Sequence, residues 1–481
     1  MHQIEGFSFL GSAPRWYKIL IVVFLAINPI MFFWINPFVA GWMLLLEFIV
    51  TLALALKCYP FAPGGLLAVE AIAIGMTSGD GVYHEVVGNL PTLLLLIFMV
   101  AGIYYLKDII LQAFAKVFIS VRSKVMLSFL FCFISGIFSS FLDGLTLMSI
   151  IIVVCFNFYA IYNRASEIFH AAGDEDIKEF RGFLRNIVMH GAVGATLGGT
   201  LTLVGEPQNL MIGTKMGWSF AQFFQNCSPV TMPASLIGLF LCPLLEYVKF
   251  PGYGYQMPEN IREIIVQVHL QESRSGRATL LLYITQILVG ILLVAALTFH
   301  FAEVGIIGIC IIILMTSFGG LTKEHDLGLA FNNVMPFVSL MVVFFAILSV
   351  VNDQHLLSPI VEYVFRLEGH GQLLALYVVN GILSVVSDSV FIASIFIKEV
   401  ETAYSAGLFS SEHYRSLAVV VNMGTNIPSL ATPNGQASFL FLLTSALAPV
   451  IRLSYWEMVK LALPYTVVTS LVGATAVYLF L

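Results

Sequence analysis

Gly136-Ile137-Phe138-Ser139-Ser140-Phe141-Leu142-Asp143 and Gly381-Ile382-Leu383-Ser384-Val385-Val386-Ser387-Asp388 read as one pattern written twice. Glycine, isoleucine, serine and aspartate coincide, and Ser149-Ile150 meets Ser394-Ile395 in unbroken register. Both copies stand in stretches otherwise apolar enough for lipid, so the pattern marks a duplicated membrane protein. Each is followed by a proline-centred polar break, Gly205-Glu206-Pro207-Gln208-Asn209 in the first half and Ala431-Thr432-Pro433-Asn434-Gly435-Gln436 in the second. Two repeats, each with one acid and one broken helix, suggest an ion-coupled secondary transporter.

Composition supports the membrane assignment. Of the 481 residues, 59% are hydrophobic and 10% charged, outside the range of soluble domains. The net charge of −6 matters less than where the basic residues fall. Six cysteines, Cys58, Cys132, Cys155, Cys227, Cys242 and Cys310, have no ligand spacing and read as reduced packing residues. The first apolar run, 17–35, is too long for a signal h-region and leads into a second span, so no removed targeting segment is expected.

About 20 apolar residues cross a bilayer, which places spans near 17–35, 38–56, 62–78, 90–106, 229–247, 279–299, 304–320, 333–351 and 460–481. The segments 125–162 and 372–398 carry an aspartate in their middles and are read as re-entrant hairpins. The segments 187–227 and 415–450 carry the proline breaks and are read as discontinuous crossings. The expected fold is an all-α polytopic membrane protein with about 11 spanning helices, two hairpins and two discontinuous helices. Its divisions are an N-terminal segment and first helix (1–37), a first repeat (38–247), a cytoplasmic linker (248–278) and a second repeat (279–481).

Cytoplasmic loops are enriched in Lys and Arg. With the N-terminus inside, 18 of the 22 basic residues fall inside; Arg366, Lys398 and Arg415 fall outside, and Lys215 lies in a broken crossing. The outer loop Gly79–Asn89 has Asp80 and Glu85 and no basic residue. The first hairpin then enters from the cytoplasm and the second from outside, an inverted duplication with the C-terminus periplasmic. Full crossings in place of the hairpins give the same parity. The polar stretches 163–186 and 248–278 read as solvated loops with short surface helices, without the concentrated charge of a nucleic-acid surface.

An ionised aspartate at the bilayer centre costs about 2.5–3.5 kcal/mol on insertion scales, so it faces a cavity or a partner. Asp143 and Asp388 either cap hairpin helices or hold a cation with the hydroxyls of Ser139, Thr146, Ser384, Ser387 or Ser389. Proton and alkali cation competing for one carboxylate is the minimal chemistry of an antiporter. Pro207 and Pro433 break the helices, freeing backbone groups to line a cavity. There Asn209, Asn434 and Gln436 offer amide oxygens, and Gly205 and Gly435 allow close approach. Glu206 lies where the second break has Thr432, and is read as a third titrating group or a cap. Glu47 and Glu70 read as structural, Glu303 and Asp353 as solvated span ends, and His190, beside the first broken helix, as a packing histidine or a group that responds to pH. The chain contains no HExxH, Walker loop, CxxC pair or GxGxxG in a strand-to-helix setting. No cofactor or enzyme chemistry is indicated.

The runs Asn36-Pro37-Phe38-Val39-Ala40-Gly41-Trp42, Lys57-Cys58-Tyr59-Pro60 with Pro63-Gly64-Gly65-Leu66-Leu67, Gly205 to Leu210 and Ala431 to Ala437 resemble the NhaB type of bacterial sodium/proton antiporter. The likeness extends from about Trp16 to near the C-terminus. This family belongs to a superfamily with sodium/dicarboxylate and arsenite carriers, whose hairpin tips often read Ser-Asn-Thr. The present chain departs by placing Asp143 and Asp388 near the asparagine position. The resemblance implies electrogenic efflux of Na+, and also Li+, against H+ across the bacterial inner membrane, with Na+ held at Asp143 and Asp388. It leaves a homodimer open, with no interface specified by these residues. Two rivals remain: a sodium-coupled carboxylate symporter, which needs a cationic pocket where only Lys215 is near, and a channel-like membrane subunit.

Overall fold

The computed structural model describes residues 9–169, 174–263, 277–320, 324–332 and 334–481. Within them all regular secondary structure is helical, as a chain that must satisfy its backbone polar groups inside lipid requires. Among the described residues seven helices are long and apolar enough to cross a membrane, a bent pair, Gly79–Gly88 with Leu90–Tyr104, can form an eighth span, and four apolar helices are shorter: Pro37–Ala53, Phe61–Ile74, Lys124–Ser139 and Val304–Gly319. The chain is a polytopic membrane protein. It divides into two compact units, Met1–Leu93 with Met335–Glu368, and Leu94–Val334 with Gly369–Leu481.

In the first unit the helices Arg15–Trp34, Pro37–Ala53 and Phe61–Ile74 are joined by one buried amide. Asn28 Nδ2 donates to Glu47 Oε2 at 2.8 Å and to Glu70 Oε2 at 2.9 Å, the structural role expected of both glutamates. Pro37 opens its helix at N1 with the Asn36 side chain as cap, where the missing proline N–H costs nothing. Two local expectations are corrected. The span expected to run to residue 78 ends at Ile74, because Gly75 turns left-handed at φ 83°, and the expected loop 79–89 is the helix Gly79–Gly88, capped by Ser78. Asp353 is more than a solvated span end: Thr77 donates to it at 2.7 Å and contacts Ser349 Oγ at 2.6 Å.

The second unit holds both aspartate patterns and both breaks. Each pattern is two helices meeting at its aspartate, Lys124–Ser139 with Gly144–Phe169 and Gly369–Val386 with Ser389–Ser405. The first break separates Asp174–Gly199 from Pro207–Met216, and the second separates Ser411–Asn426 and a 3-10 turn, Pro428–Ala431, from Ala437–Thr444. The broken helix ends at Met216, where Gly217 adopts φ 64°, and not near residue 227. Residues 220–227 belong to Phe220–Tyr247, opened by a Ser219–Gln222 capping box. Most of 163–186 is likewise helix, since one helix runs on to Phe169 and the next starts at Asp174. Part of the linker, 264–276, lies outside the described residues.

Helix 124–139 lies against helix 174–199 at backbone distance. A Cβ on Gly194 would stand 2.1 Å from the Cys132 carbonyl oxygen, and one on Gly198 1.9 Å from that of Gly136. Glycine at these positions is what lets the helices touch.

Candidate functional site

Asp143 and Asp388 do the same thing twice. Asp143 Oδ2 accepts from the N–H groups of Leu145 at 3.0 Å and Thr146 at 3.3 Å, and Asp388 Oδ1 from those of Val390 at 2.8 Å and Phe391 at 3.3 Å. Each is an N-cap, so the capping role weighed from the sequence is real. It occupies one oxygen of each carboxylate. Both residues are buried, and the second oxygen of each accepts no hydrogen bond among the described residues.

The contacts around the two caps are also duplicated. Thr202 Oγ1 donates to the Ser140 carbonyl at 2.5 Å, and Thr432 Oγ1 to that of Val385 at 2.6 Å. A Cβ on Gly205 would lie 2.7 Å from Ser139 O and 2.5 Å from Gly199 O; one on Gly435 would lie 2.5 Å from both Ser384 O and Ser429 O. Ser149 Oγ bonds the Thr146 carbonyl and Ser394 Oγ that of Phe391, both at 2.7 Å. In each half, then, one strandless break is held against the end of one aspartate-bearing helix by the same glycine and the same threonine.

This register corrects the proline alignment. Thr432 pairs with Thr202, and Glu206 pairs with Gln436, each being the extended N-cap residue one position after its glycine. Neither proline breaks a helix from within. Pro207 starts helix 207–216 at N1, whereas Pro433 lies inside the second break, before the helix that begins at Ala437.

Glu206 is buried, and its Oε1 finds no hydrogen-bond partner. Its carboxylate stands within coulombic range of both Asp143 and Asp388, and a Cβ on Gly144, the residue after Asp143, would lie 3.3 Å from Glu206 Oε1. Three buried acids therefore share one field, and among the described residues none is ion-paired with a basic side chain. Lys215, the basic residue nearest in sequence, pairs at 2.9 Å with Glu401 at a partly exposed position. No three His, Cys, Asp or Glu side chains among the described residues converge as a metal cluster. Oxygens of other kinds are left over in the same segments: Ser139 Oγ, Thr146 Oγ1, Ser384 Oγ, Ser387 Oγ, Asn434 Oδ1 and Ser438 Oγ are buried without hydrogen-bond partners. Buried polar atoms are nearly always paired, and hard oxygens left over beside carboxylates suit an alkali cation.

Other residues singled out from the sequence are spent on structure. Asn209 Nδ2 donates to Gly199 O at 2.9 Å and Thr202 O at 2.7 Å, and its oxygen accepts from Asn426 Nδ2 at 2.9 Å. Ser389 Oγ stands 2.5 Å from Gly435 O and 2.8 Å from Thr425 O. The Thr432 hydroxyl is committed to Val385 O. Asn426 joins the two breaks: Gln208 Nε2 donates to its Oδ1 at 2.8 Å, and its Nδ2 lies 2.9 Å from Asn422 Oδ1. Gln436 Nε2 holds the Asn426 carbonyl and Ser429 Oγ. Sequence reasoning misses Ser438, which lies beside Gly144, and Asn422, whose Nδ2 donates to Thr200 O at 3.5 Å, because these neighbours are more than two hundred residues away in the chain.

Comparison of the sequence with known proteins finds named relatives. The family model described as "Bacterial Na+/H+ antiporter B (NhaB)" matches residues 2–481. A protein named Na(+)/H(+) antiporter NhaB from Shewanella denitrificans is 51% identical over 485 residues, covering 98% of this chain and 92% of its own. Those of the same name from Saccharophagus degradans and Citrobacter koseri are 49% and 50% identical, each over 98% of this chain and over 98% and 94% of their own. The chain belongs to the NhaB family of bacterial Na+/H+ antiporters.

Proposed function

We propose that this protein exchanges Na+ for H+ across a bacterial membrane, with Asp143, Asp388 and Glu206 binding the cation and protons in turn. The observation that carries the site is three buried carboxylates in one field, with no basic partner among the described residues. An unpaired charge buried in low dielectric is too costly to keep, so each acid holds a proton or shares a cation. Ser139, Thr146, Ser384, Ser387 and Asn434 complete the oxygen set, while Gly205, Gly435, Asn209, Thr432 and Ser389 fix the breaks that carry it. More than one acid per cation allows more than one proton per Na+, making exchange electrogenic. The same hard oxygens accept Li+. Among the described residues Lys215, the basic residue nearest the first break in sequence, is paired with Glu401, which favours a cation over a carboxylate substrate.

The aspartate helix pairs are, in this reading, re-entrant hairpins of an inverted repeat in the inner membrane, with the N-terminus cytoplasmic. One helix of each pair is short for a crossing, 124–139 with 16 residues and 389–405 with 17, roughly 24–26 Å at 1.5 Å per residue against a core of about 30 Å, whereas its partner, Gly144–Phe169 or Gly369–Val386, is long and apolar enough to cross. The duplicated threonine and glycine contacts support the repeat. The test uses purified protein in proteoliposomes with an acidic lumen. Na+ or Li+ added outside should alkalinise the lumen, faster when a potassium diffusion potential offsets the charge moved, and K+ should not. Sodium-dependent succinate uptake without proton movement would overturn the assignment.

A further inference from the structure

The acids described so far leave one buried charged cluster unused. Glu246, near the end of helix 220–247, is buried and gathers groups from three other segments. Lys124 Nζ lies 3.1 Å, His190 Nε2 2.7 Å and Ser128 Oγ 3.2 Å from Oε1, and the Gly254 N–H donates to Oε2 at 2.9 Å. His190 Nδ1 lies 2.8 Å from Tyr465 Oη on helix 455–480. The groups facing His190 are Lys124 and Cys132 from helix 124–139, Cys242 and Glu246 from helix 220–247, Tyr465 from helix 455–480, and Tyr253, whose ring stacks on it at 5.1 Å.

The cluster has two proton states with different bonding. With neutral His190, Nε2–H donates to Glu246 and Nδ1 accepts the Tyr465 hydroxyl proton; Lys124 and Glu246 cancel. A second proton makes both ring nitrogens donors, reverses the Tyr465 bond and leaves net positive charge. Lys124 and His190 both stand within 3.1 Å of one oxygen, so their nitrogens are at most about 6 Å apart, where two buried cations repel. Lys124 meets Glu246 as an ion pair without hydrogen-bond geometry, so its hold is coulombic and the second cation opposes it directly. Lys124 is the first residue of the helix that ends at Ser139, beside Asp143.

Resting on the exchange reading above, we propose that Lys124, His190, Glu246 and Tyr465 form a proton-responsive clamp on the base of helix 124–139, positioning Asp143 and setting the pH response of exchange. His190 and Tyr465 are positioning residues that bind no Na+ and lie outside the set of Asp143, Asp388 and Glu206. The test compares Na+/H+ exchange in proteoliposomes across pH for the wild type, His190→Gln and Tyr465→Phe.

His190→Gln should change the ratio of rates at about pH 6.5 and about pH 8.5 at least twofold, with the Na+ KM at the optimum unchanged within about twofold. Tyr465→Phe removes the hydroxyl that accepts from charged imidazole, and hydrogen bonds to charged groups are the stronger ones. It should move the midpoint to lower pH, by about half a unit. Profiles that superimpose on the wild type make the cluster a static brace and overturn the proposal. If His190→Gln does not fold, Tyr465→Phe decides alone: an acid shift supports the clamp and no shift sinks it. Absence of exchange in the wild type would instead remove the antiport reading, and the clamp then stands or falls on whether His190→Gln flattens the pH dependence of Tm.

Discussion

Glu206 and Gln436 hold matching places in the two breaks: each is an extended N-cap following a glycine pressed against the carbonyl oxygen of a serine, Ser139 in the first break and Ser384 in the second. Gln436 turns its amide to Asn426 O and Ser429 Oγ, while Glu206 Oε1 bonds to nothing. The duplicated scaffold thus carries one unduplicated acid.

Glu206→Gln makes the two breaks alike and removes one titrating group while Asp143 and Asp388 remain. The expected result is continued Na+/H+ exchange with fewer protons per Na+. The reversal potential of exchange in proteoliposomes under imposed Na+ and H+ gradients measures this ratio. An unchanged ratio would show that Glu206 carries no proton in the cycle.

Asp143→Asn and Asp388→Asn separate charge from capping. Asparagine caps as well as aspartate, whereas alanine costs about 1 kcal/mol at such a position. Both asparagine variants should therefore melt close to the wild type, with each alanine variant below its asparagine counterpart. All four should lose exchange by about a hundredfold or more, since a 2.7 kcal/mol loss of ion stabilisation is about that large. Retained exchange in both asparagine variants would reduce the pair to caps.

Gly198→Ala should be among the most damaging single substitutions, because its Cβ would sit 1.9 Å from the Gly136 carbonyl oxygen, and neither backbone can move without opening the contact. Gly290→Ala meets nothing within 4 Å and gains about 1 kcal/mol of helix propensity. Detergent Tm and the monodisperse fraction should fall steeply for the first and hold or rise for the second. Similar behaviour of the two variants would show that helices 124–139 and 174–199 are not packed backbone to backbone.

The legible parts were those carried by one stretch of chain. Asp143, Ser139 and Gly136 lie within one short segment, and Asp388, Ser384 and Gly381 within another, so their register is read directly. The breaks were located for the same reason, but their alignment was drawn on Pro207 and Pro433. Proline has two uses: Pro207 opens a helix while Pro433 sits in a loop, and the true equivalence follows Thr202 and Thr432, whose partners lie on another segment. The Glu246 cluster was out of reach in the same way. Lys124, His190 and Tyr465 come from three further helices, and each alone reads as an ordinary loop-flanking or packing residue.

Asn426 supplies the sharpest test of whether the two breaks act as one unit. Its side chain donates to Asn209 Oδ1 and accepts from Gln208 Nε2, both in the first break, while its own carbonyl is held by Gln436 of the second. Asn426→Ala strands a buried acceptor and a buried donor, each costing about 1–3 kcal/mol. Asn426→Asp should be worse than alanine when ionised, since it turns a carboxylate on Asn209 Oδ1, Asn422 Oδ1 and Asn422 O, all acceptors. The coupling is isolated by a double-mutant cycle with Asn209→Ala, read by Tm and by Na+ KM. Groups in one network interact by about 0.5–3 kcal/mol, so the double variant should fall short of the summed losses on both readouts. Additive losses within about 0.5 kcal/mol would mean that the breaks are held independently and that an ion bound between Asp143 and Asp388 is not sensed through this amide.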